Sequence, residues 1–541
     1  MNKQLRTICI LILVLLAIFL FTYKLGNYSF WDNDEPLYTG MAKHMTTSGD
    51  WVTLQFSGEN WFCHPPLYMW LTALTSYVNG WNEFTGRIWS SIFAVGIILL
   101  VFFIGEKLVS LRGGFLSAIV ALTTIQIFVQ SHLANLDTAL IFFLAASIFA
   151  LYIGAVEEKK NYYIGAWILM GLATLDKGIF GFLFPLLIIF LYLLMKKELP
   201  KFKKIFLSPG IIIFLLLAIP WYAVEIYLHG NKFIDEVFLF YTVQRLTTPI
   251  LNQKEPIYFY IPVFILGFFP WIFFFPQAFA YIINLVRQKS KEALQSQALS
   301  KAGSDMPILL IIWFAVVFIS FTVIRTKLPN YILIIYPACA LMMGKYWDSL
   351  LAQKKLPSSF IISGSFFLIF VPAIIFIFRK VALSIYPAEF ENFKGQLVIL
   401  AVELLAGAVL TYIFIFINRV TTFIALALTG YLLFINIAVL TVKADYYKPM
   451  KPIALALSKL IKENDLLYMD FKLEGKNSLV FYSGHDRNYF YDKSEIKNIM
   501  SQQKRVFLLI KEKDCNELFS DTDMSPVIVG RGKDILVLSN R

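Results

Sequence analysis

Runs of roughly 18 or more apolar residues recur along most of this chain, and each is long enough to cross about 30 Å of hydrocarbon. In lipid such segments must be helices, because backbone N–H and C=O groups find no water there. The pattern predicts about thirteen spans, near 6–22, 87–106, 113–130, 137–155, 162–176, 178–195, 206–226, 257–283, 307–324, 329–346, 358–378, 394–417 and 420–441. The first run follows Lys3 and Arg6 and continues into Tyr23, Lys24 and Leu25 without a small-residue cleavage site, so it reads as an uncleaved anchor.

The polar stretches between the runs alternate in character. One set carries plain basic clusters: Lys3 and Arg6; Lys107 and Arg112; Lys159 and Lys160; Lys196 to Lys204; Arg287, Lys289 and Lys291; Lys354 and Lys355; Arg419. The positive-inside rule assigns these to the cytoplasm. The other set, 23–86, 131–136, the turn at Lys177, 227–256, 325–328, 379–393 and all that follows 442, then faces outward and holds nearly every unusual polar residue. After 442 the pattern changes. Leu466–Tyr468, Ser478–Tyr482, Val506–Ile510, Val527–Val529 and Ile535–Leu538 read as strands, and Pro452–Glu463 and Ser494–Gln503 as helices. The expected fold class is a polytopic α-helical membrane protein, with a transmembrane domain over 1–441 and a small extracytoplasmic α/β domain over 442–541.

Composition agrees: of 541 residues, 58% are hydrophobic and 16% charged, too apolar for a soluble protein. The net charge of +12 does not point to nucleic acid, because the cations sit in short loops between apolar runs and form no groove. The four cysteines suggest no disulfide framework: Cys9 and Cys339 lie within apolar runs, while Cys63 and Cys515 are far apart.

Candidate chemistry gathers in the outward set. In the first outer loop, 23–86, three acids (Asp32, Asp34 and Glu35) precede Pro36 and Tyr38 and open an amphipathic stretch. A second such stretch begins at Cys63-His64-Pro65-Pro66 and runs to about Val78; both are too short to span and read as interfacial helices. Asp34 and Glu35 read equally as an ordinary helix start, with Asp or Asn at the cap and Pro in the first turn. Asp137 heads the fourth run, where it too reads as a cap, and Lys177 punctuates two runs beside Asp176, where a local Asp–Lys pair in a tight turn is the simpler reading. Arg245 and the cluster Arg325-Thr326-Lys327-Leu328-Pro329-Asn330-Tyr331 complete the set. Cations at an interface suit a phosphate or pyrophosphate head group, and a neighbouring carboxylate suits a general base. No P-loop, Rossmann fingerprint or Gly-rich cradle is present. A nucleotide donor is thereby disfavoured against a lipid-linked one.

These pieces resemble the bacterial C-type membrane glycosyltransferases of the protein mannosyltransferase superfamily, the undecaprenyl-phosphate aminoarabinose (lipid A) transferases among them. The matching segments run in the family's order: Asp34-Glu35-Pro36-Leu37-Tyr38, His64-Pro65-Pro66-Leu67-Tyr68, Gly86-Arg87, Leu136-Asp137, Lys177-Gly178, Pro220-Trp221-Tyr222, Phe269-Pro270-Trp271 and Lys327-Leu328-Pro329-Asn330-Tyr331. The resemblance implies thirteen spans, two interfacial helices in the first outer loop and a soluble C-terminal domain. It makes Asp34 the acid–base residue, with Glu35 and Asp137 in support, and puts Lys177, Arg245, Lys327 and Tyr331 near a carrier phosphate. Tyr38, His64, Arg87 and Arg325 join them as substrate-binding candidates.

The expected activity is transfer of a sugar from a polyprenyl-phosphate donor to a glycolipid or protein acceptor at the outer face of the cytoplasmic membrane. The expected partners are that donor, the acceptor and membrane lipids. No cofactor follows from the motifs. A divalent metal on Cys63, His64 and His485 is allowed by ligand type, although the aminoarabinose branch carries Glu-Lys where Cys63 and His64 stand here. The competing class is a transporter or flippase of a lipid-linked sugar, which predicts midspan charges and repeated, interrupted helices; no internal repeat is seen.

Overall fold

The computed structural model describes residues 2–244, 255–293, 305–353, 356–385, 390–519 and 526–541. From the N-terminus it runs through α1 (Asn2–Thr22), the outer-loop helix α2 (Asp34–Ser48), a hairpin of β1 (Gln55–Phe56) and β2 (Glu59–Asn60), and α3 (Leu67–Asn79). There follow α4 (Glu83–Leu108), α5 (Leu111–Leu122), α6 (Ile125–Ser131), α7 (Asp137–Glu157), α8 (Lys160–Lys177), α9 (Phe180–Met195), α10 (Pro200–Phe206) and α11 (Gly210–His229). Beyond them come α12 (Tyr260–Gly267), α13 (Phe275–Ala293), α14 (Met306–Val323), α15 (Tyr336–Ala352), α16 (Ser358–Ile385), α17 (Phe390–Ile417) and α18 (Arg419–Ala444).

Among the described residues eight helices are long and apolar enough to cross a membrane, and the bent pair α5–α6 gives a ninth when taken as one span. The chain is an integral membrane protein. Several of the thirteen expected runs depart from a straight span for local reasons. Thr123 and Thr124 turn their hydroxyls back onto the Ile119 and Val120 carbonyls, 2.6 and 2.7 Å away, and there the helix bends by 63°. The run 257–283 is divided by a turn of 3-10 helix at Trp271–Phe273, and the run after Leu328 opens as 3-10 helix over Pro329–Ile335.

Glycines allow a close crossing of α4 and α5. A Cβ on Gly105 would stand 2.6 Å from the Gly114 Cα, and one on Gly114 would stand 2.5 Å from the Glu106 nitrogen. Small residues of this kind let helix backbones approach closely in lipid. One end of the bundle is laced by Arg6–Glu106, Lys107–Glu157, Arg112–Asp348 and Lys196–Asp305 ion pairs. The opposite end carries α2, α3 and the C-terminal segment.

That segment forms α19 (Met450–Leu460), β3 (Leu466–Asp470), α20 (Ser478–Ser483), β4 (Asn488–Phe490), α21 (Lys493–Met500), β5 (Val506–Lys511), β6 (Val527–Arg531) and β7 (Ile535–Ser539). The sheet order is β4-β3-β5-β7-β6, with β3 parallel to β4 and β5, and β7 antiparallel to β5 and β6. Apolar clusters cover both faces. The stretch Ser478–Tyr482, expected as a strand, is instead the short helix α20, stopped by Gly484 at φ 74°. A brief apolar run does not distinguish strand from buried helix by itself. The neighbouring strand β4, unexpected from its polar sequence, takes the sheet edge in its place.

Candidate functional site

Two cavities meet at the end of the bundle that carries α2 and α3. The first, about 490 Å³, is lined mainly by apolar side chains of α8, α9, α11 and α14, including Phe182, Phe214, Ala218 and Phe321. The second, about 1020 Å³, lies between the segment joining α1 to α4 and the C-terminal segment, and is lined by Asp34, Tyr38, Glu59, Asp486 and Arg487 among others. Cys63, His64, Asp137, Lys177, Asn330 and Tyr331 line both. The junction is therefore a polar ring between an apolar chamber and a polar one.

Helix ends build this junction. α8 stops at Lys177 because Gly178, at φ 76°, turns the chain away while its N–H closes on the Thr174 carbonyl at 2.9 Å. Lys177 is thereby delivered to Asp137, the first residue of α7, and the two form an ion pair. The second Asp137 oxygen accepts from Asn330 Nδ2 at 2.5 Å. Lys177 thus pairs with Asp137 from another helix, not with its neighbour Asp176, whose buried carboxylate oxygens have no hydrogen-bond partner. Tyr331 packs its ring 5.2 Å from that of Phe321, and the Tyr38 and His64 rings lie 6.1 Å apart.

Asp34 opens α2 and lines the polar chamber. The Asn33 side chain makes no capping bond to the helix, so a simple Asn cap does not describe this start. Glu35 points the other way. Buried, it holds Arg87 through bonds of 2.7 and 2.8 Å and accepts from the Trp31 and Ala134 backbone N–H groups at 2.7 and 2.8 Å. Arg87, expected at the substrate, is fully buried: it also bonds the Leu25, Tyr28 and Ser29 carbonyls and stacks on the Tyr28 ring. Every direction around its guanidinium is occupied by protein, and neither Glu35 nor Arg87 lines either of the two cavities. The pair braces the loop behind Asp34.

Two further expected residues, Lys327 and Arg325, stand apart from the junction. Lys327 is buried, donates to the Ile324 carbonyl and lines neither cavity. Burial and the nearby Arg325 charge hold its ammonium below the usual lysine range. Arg325 is exposed, and Arg245 lies outside the described residues. The Cys63 sulfur is 3.6 Å from His64 Nε2, but among the described residues no group of three or more His, Cys, Asp or Glu side chains is placed to hold a metal, His485 included.

The structure adds residues that the sequence did not single out. Asn330 lies within Lys327-Leu328-Pro329-Asn330-Tyr331, where nothing in the sequence marks it out from its neighbours. Arg487, which gave no signal in a polar turn of the C-terminal domain, lies against the Phe56 and Tyr489 rings and donates to Asn477 Oδ1 at 2.8 Å.

The whole chain superposes on solved membrane enzymes. The crystal structure of ArnT from Cupriavidus metallidurans bound to undecaprenyl phosphate matches with a TM-score of 0.83 over 98% of both chains, at 19% identity. This chain has the C-type membrane glycosyltransferase fold. The oligosaccharyltransferase of Archaeoglobus fulgidus shares it more distantly, with a TM-score of 0.56 over 94% of this chain and 70% of that one, at 11% identity. Residues 63–223 match the dolichyl-phosphate-mannose-protein mannosyltransferase family. Among curated proteins, an undecaprenyl phosphate-alpha-4-amino-4-deoxy-L-arabinose arabinosyl transferase of Pseudomonas fluorescens is 27% identical over 61% of this chain and 58% of its own. An uncharacterized Aquifex aeolicus protein is 27% identical over 64% of this chain and 65% of its own. The aligned stretch thus spans less than two thirds of the length of these relatives.

Proposed function

We propose that the protein is a glycosyltransferase that moves a sugar from a polyprenyl-phosphate donor to a lipid or protein acceptor at the outer face of the cytoplasmic membrane. The observation that carries this reading is the junction: an apolar chamber and a polar chamber share Lys177, Asp137, Asn330 and Tyr331. A lipid phosphate has that same division. Its isoprenoid tail suits the Phe-rich chamber, its phosphate suits the Lys177 ammonium, and its sugar then lies in the polar chamber beside Asp34. The likeness to arabinosyl transferases that use undecaprenyl phosphate supports this donor class.

The chemistry follows from the charges. An acceptor hydroxyl or phosphate oxygen attacks the anomeric carbon, and an acceptor hydroxyl loses its proton to the Asp34 carboxylate acting as general base. The bond from the anomeric carbon to the phosphate oxygen breaks and its electron pair leaves with the phosphate. That leaving group needs cations, not a proton, and Lys177 supplies one in a site walled from water on its lipid side. A single displacement of this kind inverts the anomeric configuration. Asp137 and Asn330 hold Lys177 in line, while Glu35 and Arg87 hold the loop that presents Asp34.

Mass spectrometry of lipid A, other surface glycolipids and secreted glycoproteins, from cells with and without the protein, tests the reading. A sugar-sized mass difference that depends on the protein is expected and would name sugar and acceptor together. Identical glycan profiles in every fraction would overturn the assignment.

A further inference from the structure

We infer that the C-terminal domain works as a positioning clamp for Asp34, through the loop between β3 and α20. The inference rests on the role proposed above for Asp34. Both residues before Asp34 are gripped by this loop. Asp32 pairs with Lys476 Nζ at 2.9 Å and accepts from the Ser478 hydroxyl on its other oxygen. The Asn33 N–H donates to the Gly475 carbonyl at 2.8 Å, and the Asn33 carbonyl accepts from Asn477 Nδ2 at 2.9 Å. The side chain of Asp32 and both backbone polar groups of Asn33 are thus committed to one four-residue stretch more than 440 positions away.

The grip holds an unfavourable backbone. Asn33 has φ 77° and ψ −103°, which a residue with a side chain adopts only under external constraint. Gly475 allows the approach: it sits at φ +87°, and a Cβ there would lie 2.1 Å from Asn33 Oδ1. On the far side of Asp34, Glu35 is fixed by Arg87 and by the Trp31 and Ala134 N–H groups. Asp34 is therefore set between two anchors. One belongs to the membrane bundle and the other to the soluble domain. α20 continues the contact, since Lys43 of α2 donates to the Phe481 carbonyl at 3.3 Å and Phe30 packs edge-on against the Phe481 ring. Gly475 and Asn477 also line the polar chamber beside Asp34, so the clamp sits at the site and not on a remote surface.

Reacting groups displaced by about 1 Å can lose about a hundredfold in rate without loss of binding. The full-length protein with Lys476→Ala or Gly475→Ala, reconstituted in liposomes with the host's own polyprenyl-linked sugar and glycolipid fraction, is therefore expected to lose about tenfold or more in kcat. The donor KM and the binding of undecaprenyl phosphate alone should stay at wild-type values. The paired exchange Asp32→Lys with Lys476→Asp should recover part of the loss, which a general loss of fold would not allow. Amide hydrogen exchange over residues 31–36 reads the clamp without any turnover and should quicken in both single variants. Wild-type kcat in both, or unchanged exchange over 31–36, would overturn the inference. A wild-type protein that transfers no sugar would instead remove the proposed function, leaving the exchange result to decide on the clamp.

Discussion

Lys177 at the end of α8 is ion-paired with Asp137 at the start of α7, across 40 residues of sequence, and Asn330 completes the group by donating to the other Asp137 oxygen. The three come from separate elements and line both chambers. A partly buried cation tethered by one carboxylate at a cavity junction is prepared to meet a second anion.

Lys177→Met is accordingly expected to weaken undecaprenyl phosphate binding by about tenfold or more, since a hydrogen bond to a charged group is worth about 1.5–3 kcal/mol. Asn330→Ala, which leaves the ammonium in place, should cost less. Quenching of intrinsic tryptophan fluorescence by the lipid measures both. Equal affinity for wild type and Lys177→Met would remove the phosphate from this junction.

Glu35 and Arg87 make the opposite prediction, one of stability. The pair is almost wholly buried, at 3% and 0% exposure, and losing one partner of such a pair costs about 3–5 kcal/mol. Arg87→Met should lower the thermal midpoint in detergent far more than any substitution of Asp34. Removing both charges, as Glu35→Leu with Arg87→Met, should restore part of the loss because no unpaired ion remains.

The apolar chamber predicts a dependence on lipid length. Ala218 lines it and is buried, and overpacking there costs about 1–3 kcal/mol. Ala218→Trp is expected to raise the KM for an undecaprenyl-linked donor by about tenfold, while a short-chain analogue that does not reach Ala218 is used as before. An equal effect on both donors would contradict a tail-binding role.

At the α4–α5 crossing, Gly114→Val should destabilise the bundle by about 1–3 kcal/mol or more, because its Cβ would press on the Phe102 carbonyl and Glu106 nitrogen. The melting temperature in detergent reads this directly.

The membrane class, the two short helices between the first two spans and the clustering of Asp34, His64, Asp137, Lys177 and Tyr331 were legible because each rests on local patterns: long apolar runs, Pro-Pro, and charged residues at run boundaries. What the sequence hid was partnership. Arg87 and Lys177 look alike as cations at the edges of apolar runs, yet Arg87 is sealed against Glu35 and three carbonyls while Lys177 faces two cavities. Asp32 read as one of three clustered acids before Pro36, and the structure makes it an attachment point for Lys476. Such pairings join positions 52 to 444 residues apart, which periodicity does not encode. The helix at Ser478–Ser483 escaped for a different reason, since six residues are too few to show a period.

The central claim is that Asp34 takes the acceptor's proton at a site where the donor phosphate is already held. Purified wild-type protein and Asp34→Asn, in liposomes with the host's polyprenyl-linked sugar and acceptor fraction, test it most directly when transfer and undecaprenyl phosphate binding are measured side by side. Unchanged phosphate binding is expected, with transfer reduced by about a hundredfold or more, as for loss of a positioned general base. Full transfer by Asp34→Asn would contradict it.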